Sequence, residues 1–471
     1  MAPEILRNIP SVNELLESQP LKTLTTQVTR SVVVTRIRDF LDNLREEAKQ
    51  TTSDLPLPSE LAERIASWIV TSEQSPLRPV INATGILLHT GLGRAPMATE
   101  AITEMHALAS GYCSLEIDLE TGERSQRHVA VGQLLQELTG AEAALVVNNN
   151  AGATLLTLAA LASGKEVIVS RGELVEIGGS YRLPDVMATS GASLREVGTT
   201  NKTRLPDYAD AIGESTAALL KVHTSNYAIV GFTEQTKVTD LVRLAAKHRC
   251  LVIDDIGSGA LIDYSRFGLN GEPVARASIQ AGADVVLFSG DKLLGGPQCG
   301  IIVGRRSIVE TIKKHPLSRA LRVDKLTLGA LAATLKLYRD PELAEESVPL
   351  LSLLSTSLEN LHLRANNMAA QLEALDSVTS AEVVEDETFL GGGSLPTQRV
   401  STWCVSLQPK GRKVDDLARS LRTGNPAIFG RVQQDRLLLD LRTVFPTQDV
   451  QIIQGVESLT APETESECNQ A

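Results

Sequence analysis

With 471 residues, 42% of them hydrophobic and 22% charged, the chain carries enough apolar material for a large core plus at least one accessory domain, which marks a globular protein. A net charge of −12 argues against nonspecific nucleic-acid binding over the whole surface, while a local basic patch remains compatible with it. No run of 18 or more apolar residues is present, the first eight residues lack the charged-then-apolar pattern of a signal peptide, and a cytoplasmic location is expected. The cysteines Cys113, Cys250, Cys299, Cys404 and Cys468 are scattered, with no Cys-x-x-Cys pair, so reduced thiols are expected and neither a disulfide framework nor a metal site.

Residues 1 to about 70 have a helical pattern. Ser11-Val-Asn-Glu14 has the form of a capping box, and Val33-Val34, Ile37, Phe40-Leu41 and Leu44 recur at helical spacing. Thr51 to Pro58 interrupts the pattern, and Leu61 to Val70 predicts another helix before Ser75-Pro76 and Pro79. The segment holds 8 Lys plus Arg against 10 Asp plus Glu, so it is not basic overall. Its positive charges cluster between Arg30 and Arg45, which suits a phosphate backbone or an ordinary solvated helix face. Val80 to Pro96 follows as a glycine-punctuated loop that does not fit Gly-x-Gly-x-x-Gly, with Arg94 as a candidate anion clamp. Glu120 to His128 is polar and leads into a helix through Val131, Leu134, Leu135 and Leu138; on local evidence Arg124 and Arg127 face solvent.

From Ala143 onward, strands alternate with helices. Ala144 to Val147 is a short buried strand, followed by Asn148-Asn149-Asn150-Ala151-Gly152-Ala153 and a helix through Leu155, Leu158 and Leu161. A strand, a polar turn and a helix N-terminus together offer backbone amides and a positive dipole end, which suits a phosphate group. Glu166 to Val169 is a strand, Arg171 to Gly179 is expected as loop and helix, and Ser193 to Val197 and Ala217 to Val222 are strands. Val238 to Lys247 is helical, and Leu251 to Ile253 is a strand ending in Asp254-Asp255. Repeated strand and helix units imply a mainly parallel sheet with functional loops at the carboxyl ends of its strands. An acidic pair at such an end can hold a ring nitrogen protonated.

Ala283 to Phe288 is a further buried strand, broken by Ser289-Gly290-Asp291 and followed by Lys292-Leu-Leu-Gly-Gly-Pro-Gln298. A lysine just past a buried strand end loses hydration, which lowers its pKa and favours the nucleophilic amine. A phosphate cradle at residues 149 to 151, a carboxylate at 255 and a lysine at 292 are what pyridoxal phosphate chemistry requires. Arg319 and Arg322, three apart on an expected helix, share one face and can clamp one anion. Leu326 to Leu375 is expected to be helical. Strand-like stretches then alternate with polar loops, an alternation that includes Leu390 to Pro396, Ser401 to Leu407, Ala427 to Arg431 and Arg436 to Asp440. Gly391-Gly-Gly393 is either a turn or an active-site loop, and the acidic tail from Thr460 is expected to be disordered.

Asn82-Ala-Thr-Gly-Ile-Leu-Leu-His-Thr-Gly-Leu-Gly-Arg94, Val147-Asn-Asn-Asn-Ala151, Arg171-Gly-Glu-Leu-Val-Glu-Ile-Gly-Gly179, Lys221-Val-His-Thr-Ser-Asn-Tyr227 and Ser289-Gly-Asp-Lys-Leu-Leu-Gly-Gly-Pro-Gln298 closely resemble the bacterial selenocysteine synthase family. The resemblance runs over nearly the whole chain. It implies an α/β, fold-type I pyridoxal phosphate transferase with a mainly parallel central sheet. It further implies a helical tRNA-binding domain at 1–72, a large cofactor-binding domain at 73–335, a small α+β domain at 336–459 and the tail at 460–471. The implied reaction converts L-seryl-tRNA(Sec) to L-selenocysteinyl-tRNA(Sec) with selenophosphate, through a dehydroalanyl form of the tRNA. By position, Lys292 is the lysine that binds the cofactor and Asp255 the partner of the pyridine nitrogen, with Asp254 as the alternative. Asn149, Asn150, Ala151 and Ser289 complete the cofactor site, and Arg94, Arg319 and Arg322 are the selenophosphate arginines. The family also implies a ring of dimers, a decamer. One departure is Thr121-Gly-Glu-Arg124-Ser-Gln-Arg127, where an Arg-Gly-x-Arg type segment is expected, so the roles of Arg124 and Arg127 stay open. Two alternatives remain at this level: a pyridoxal phosphate lyase acting on a small free amino acid or amino sugar acid, and a tRNA-binding protein without catalysis.

Overall fold

The computed structural model describes residues 9–50, 57–73, 77–179 and 181–459. The tail expected from Thr460, with Cys468, lies outside these residues, as do Thr51 to Pro56 of the predicted interruption. The chain divides into two compact units, Met1–Pro79 and Val80–Ala471.

In the first unit, Ser11 and Glu14 form the expected reciprocal cap: the Glu14 amide donates to Ser11 Oγ at 3.3 Å and the Ser11 amide to Glu14 Oε2 at 2.8 Å. Helices Val12–Glu17 and Gln19–Leu24 precede two long ones, Arg30–Gln50 and Pro58–Glu73. A spacing of four places Val33, Ile37 and Leu41 on one stripe and Leu61, Ile65 and Ile69 on another, and both stripes are buried against Leu15 and Leu21. Each such fully buried side chain contributes about 1.5–3 kcal/mol. Arg36 pairs with Glu73 at 2.8 Å and ties the two long helices together.

In the second unit, short runs rich in Val, Ile and Leu, apolar on both faces, form a central sheet of seven strands numbered here in chain order. They are β1 Ala143–Val147, β2 Glu166–Ser170, β3 Ser193–Val197, β4 Thr216–Val222, β5 Leu251–Gly257, β6 Val285–Ser289 and β7 Gly300–Gly304. The order across the sheet is β1-β7-β6-β5-β4-β2-β3. β7 runs antiparallel to both neighbours and the other pairings are parallel, so the carboxyl ends of β1, β4, β5 and β6 gather on one edge. Apolar clusters lie on both faces, one holding Val286, Phe288 and Ile301 and another Leu220, Ile253 and Leu287. Period-two alternation along each strand divides them this way.

A second sheet holds Val80–Ala83, Ala427–Gln433, Arg436–Asp440, Ser394–Pro409 and Val378–Gly391 in that spatial order. Helices Leu358–Glu373, Val414–Thr423 and Asp449–Glu457 supply the rest of its core. Val80–Ala83 pairs in parallel with Ala427–Gly430, so the segment entering this unit belongs to the sheet of the C-terminal strands. Gly391, Gly392 and Gly393 form the turn of the long hairpin, all at positive φ, a conformation that glycine adopts without strain.

Two local expectations change. Arg171 to Gly179 contains no α-helix; a 3-10 turn Arg171–Glu173 leads into a small hairpin, Glu176–Ile177 with Tyr181–Arg182, and the helix begins only at Leu183. The expected helical run from Leu326 is four helices, Lys325–Leu337, Pro341–Ser347, Pro349–Ser355 and Leu358–Glu373. Pro341 and Pro349 cannot donate within a continuous helix and instead open new ones, the first capped by Asp340. No helix among the described residues is long and apolar enough to cross a membrane.

Candidate active site

β6 is buried along its whole length and delivers Ser289-Gly290-Asp291-Lys292 to the carboxyl edge of the sheet. The turn is fixed by backbone bonds: Gly290 N donates to Cys299 O at 2.9 Å, Leu293 N to Ser258 O at 3.0 Å and Gly295 N to Lys292 O at 2.9 Å. Lys292 is only 5% exposed. Burial lowers its pKa and the Arg94 guanidinium lowers it further, against Asp291, Asp255 and Glu272. The neutral amine is therefore reached at lower pH than for an ordinary lysine.

β5 presents the acidic pair. Because successive side chains point to opposite faces, Asp255 enters the cavity that holds Lys292, while Asp254 does not line it. Three donors hold Asp255: Asn150 Nδ2 to Oδ1 at 2.9 Å, Thr154 Oγ1 to Oδ2 at 2.8 Å and Gly257 N to Oδ1 at 3.1 Å. Burial raises its pKa, opposed by the bonds from Asn150 and Thr154 and by the charge of Lys292. Asp254 sits in register with Lys221 of β4, its Oδ2 is buried without a hydrogen-bond partner, and burial pushes it up to about 6.

The polar turn after β1 supplies the third wall. Asn149 caps helix Asn150–Ala162 by accepting from Gly152 N at 2.8 Å, and the first amides of that helix have no intrahelical acceptor. Asn150 reaches Asp255 with its amide nitrogen, while its Oδ1 is buried without a partner. Asn149, Asn150, Ala151, Asp255, Ser289 and Lys292 thus line one cavity of about 300 Å³.

Several residues that line the cavity or support its walls are not singled out by the sequence. Thr154, one helical turn after Asn150, shares its face, and that spacing is a usable signal. Tyr181 comes from the unexpected hairpin, and burial raises its phenol pKa. His223, just past β4, also faces the cavity, with Nε2 3.5 Å from the buried Glu272. Gly300 faces the Asn turn so closely that a Cβ there would lie 2.1 Å from Asn149 O.

Arg94 lines the same cavity and donates to Asp291 Oδ2 at 2.6 Å. Its φ of 65° follows Gly93 at 95°, a tight turn that aims the side chain at the β6 end. Arg319 and Arg322 line a different cavity. They also do not share a helix: Leu317–Ala320 ends before Leu321, Arg322 makes an isolated bridge with Val147, and Asp324 caps the next helix. Arg124 is exposed as expected, but Arg127 is not; its side chain is 11% exposed, bonded to Glu116 and, at 2.9 Å, to Val323 O. The partners that cover it lie elsewhere in the chain, beyond what its neighbours in sequence reveal.

A family model described as L-seryl-tRNA selenium transferase matches residues 80–445, and one described as selenocysteine synthase N terminal matches residues 6–45. The chain is 46% identical over 453 residues to the L-seryl-tRNA(Sec) selenium transferase of Moorella thermoacetica, covering 96% of both chains. It is 46% identical over 461 residues to the protein of the same name in Geobacter sulfurreducens, covering 97% of this chain and 100% of that one. Among solved structures, D-glucosaminate-6-phosphate ammonia-lyase superposes with a TM-score of 0.56 at 22% identity over 81% of this chain and 95% of its own, a likeness of fold.

Proposed function

The chain belongs to the L-seryl-tRNA selenium transferase family, and from that premise we propose that it converts L-seryl-tRNA(Sec) to L-selenocysteinyl-tRNA(Sec) using pyridoxal 5′-phosphate and selenophosphate. Its fold is the α/β, fold-type I arrangement of pyridoxal phosphate transferases. The observation that carries the reading is the meeting of Lys292, Asp255 and the Asn149-Asn150-Ala151 turn on one cavity.

These residues fit the cofactor chemically. Lys292 would hold the aldehyde carbon, Asp255 the pyridine nitrogen, and Asn149, Asn150, Ala151 and Ser289 the phosphate and ring edge. The unpartnered buried Oδ1 of Asn150 is consistent with a ligand group completing its bonding. When bound, pyridoxal phosphate supplies an electron sink for the carbon that loses a proton. Once the amine of the seryl group has taken its place on the aldehyde carbon, Lys292 is released, and its amine, favoured by burial, would take the Cα proton. Asp255, fixed by Asn150 and Thr154, keeps a proton on the ring nitrogen. The β-hydroxyl then leaves with a proton as water, and selenium of selenophosphate joins the β-carbon as its bond to phosphorus breaks and the phosphoryl group passes to water as inorganic phosphate.

Arg94, paired with Asp291, the residue before Lys292, draws the selenophosphate anion toward the site. Arg319 and Arg322 form the second anion-binding pair in this reading. The helical unit, proposed at 1–72, takes the tRNA; 73–335 carries the chemistry and 336–459 the small domain. Chains assemble as a decameric ring of dimers in the cytoplasm. The lyase alternative draws on the fold likeness, but the match of residues 6–45 to the selenocysteine synthase N terminal favours the tRNA reading.

Mobility-shift titrations with selenocysteine tRNA and serine tRNA, combined with visible absorbance spectra, test this. The wild type is expected to prefer the first tRNA and to show the band of lysine-bound cofactor, and Lys292→Ala to lose both band and conversion. A Lys292→Ala protein that kept the band and converted seryl-tRNA would sink the assignment. Cofactor binding without any tRNA preference would point to the lyase.

A further inference from the structure

Beside the Lys292 cavity lies a second one, of about 420 Å³. Arg124 and Arg127, Lys313 and Lys314, and Arg319 and Arg322 converge on it from three stretches of chain, and Glu116 is the one carboxylate among its lining residues. In a chain of net charge −12 this is a concentrated positive site. Glu116 is already shared: Arg124 donates to its Oε2 at 3.0 Å and Arg127 Nε to its Oε1 at 3.1 Å, which orients both guanidiniums and holds the carboxyl down at about 2. Lys313 donates to Gln126 Oε1 at 2.5 Å and to Glu310 Oε1 at 3.3 Å. Lys314, Arg319 and Arg322 make no side-chain hydrogen bond or ion pair among the described residues. His128, at the same wall, is pushed down to about 4, by burial first and then by Arg127 and Lys313.

The walls of the two cavities are linked through the backbone. Asn148 N donates to Leu321 O at 2.9 Å, and Arg322 bridges to Val147, so the wall carrying Arg322 is fastened to the chain that enters the Asn149 turn. An aminoacyl group reaching Lys292 brings the last nucleotides of its carrier to this neighbourhood. With Arg319 and Arg322 set aside for a tetrahedral anion, Arg124, Arg127, Lys313 and Lys314 still outnumber Glu116 on this wall, a spread positive surplus that successive phosphodiesters match. Such contacts fix position and register without reading bases.

We propose that Arg124, Arg127, Lys313 and Lys314 bind the phosphodiester backbone of the 3′-terminal nucleotides of the tRNA whose aminoacyl end enters the Lys292 cavity. The proposal rests on the function given above, in which Arg319 and Arg322 are assigned to selenophosphate and these four cations have no role.

The test uses the cofactor-loaded full chain and fluorescence anisotropy across a salt series. The probes are selenocysteine tRNA, the same tRNA cut back to the last base pair of its acceptor stem, and inorganic phosphate as competitor. Lys313→Gln/Lys314→Gln and, separately, Arg124→Gln are compared with wild type, with thermal melting and the cofactor band as folding controls. Intact tRNA should bind the double variant about tenfold more weakly, with a salt slope shallower by about one per lost phosphate contact. The shortened tRNA should bind variants and wild type alike, and millimolar phosphate should not displace intact tRNA. Unchanged affinity and slope in both variants overturns the proposal, as does an equal loss on the shortened tRNA. Displacement by phosphate would mark a small-anion site instead. If the wild type binds neither tRNA, the functional reading beneath the proposal falls with it.

Discussion

Asp254 and Asp255 are chain neighbours with opposite surroundings. Asp255 has three hydrogen-bond donors and faces Lys292's cavity; Asp254 is buried on the other face beside Lys221, with one oxygen unpartnered. Its pKa rises from an ordinary 3.8 to about 6, so between those values the folded chain holds a proton that the unfolded chain has released. Stability therefore falls as pH rises through that window. Asp254→Asn is expected to flatten this dependence and to gain on the order of 3 kcal/mol at neutral pH, about what a shift of that size is worth. Thermal melts of both proteins across the window check it; an unchanged slope in the variant would assign the titration to another group. The sequence leaves these two acids open because adjacency alone does not say which way a strand's first residue points. Lys292 and the Asn turn are legible, since a lysine after an apolar run and three asparagines before a helix are local patterns. Thr154 could have been read from its place one turn after Asn150, whereas Tyr181 and His223 could not, because their roles depend on which loops meet over the sheet edge.

Elements supply that meeting, and one antiparallel strand does much of it. β7 inserts between β1 and β6, with Gly300 paired to Val147 on one side and to Ser289 on the other. A Cβ at Gly300 would lie 2.1 Å from Asn149 O and 2.4 Å from its carbonyl carbon, so only glycine lets the Asn turn and the β6 end approach. Gly300→Ala is expected to push the turn away from Asp255, weaken pyridoxal phosphate binding by more than about tenfold and destabilise the fold by roughly 2 kcal/mol. Titration of the apo protein with the cofactor, followed by visible absorbance, reads this; wild-type affinity in the variant would show that the turn does not depend on β7. Strand and helix identities in this region follow from hydrophobic periodicity, and the capping box at Ser11 is read correctly from four residues. The loop at Arg171 and the short helix at Leu317 are misjudged, since neither carries a period long enough to decide between turn, hairpin and helix. Arg319 and Arg322 consequently share a cavity without sharing a helix face.

At the scale of the molecule, the chain joins a small helical unit with its own core to a large unit in which a mostly parallel sheet presents its carboxyl ends to one cavity. The helical periodicity of residues 1 to about 70 is local and legible, but Val80–Ala83 pairing with a strand more than 340 residues later is not, because such a parallel partner leaves no local trace. The account requires the two units to act on one substrate, the serine of a specific tRNA, with Lys292 and Asp255 doing the proton chemistry. The direct measurement is the mass of the aminoacyl group recovered after incubating the cofactor-loaded full chain with seryl-tRNA(Sec) and selenophosphate. The account predicts a selenocysteinyl group, formed only when selenophosphate is present and absent with Lys292→Ala. Recovery of an unchanged seryl group from the wild type, alongside ammonia released from a free amino acid without any tRNA, would contradict it.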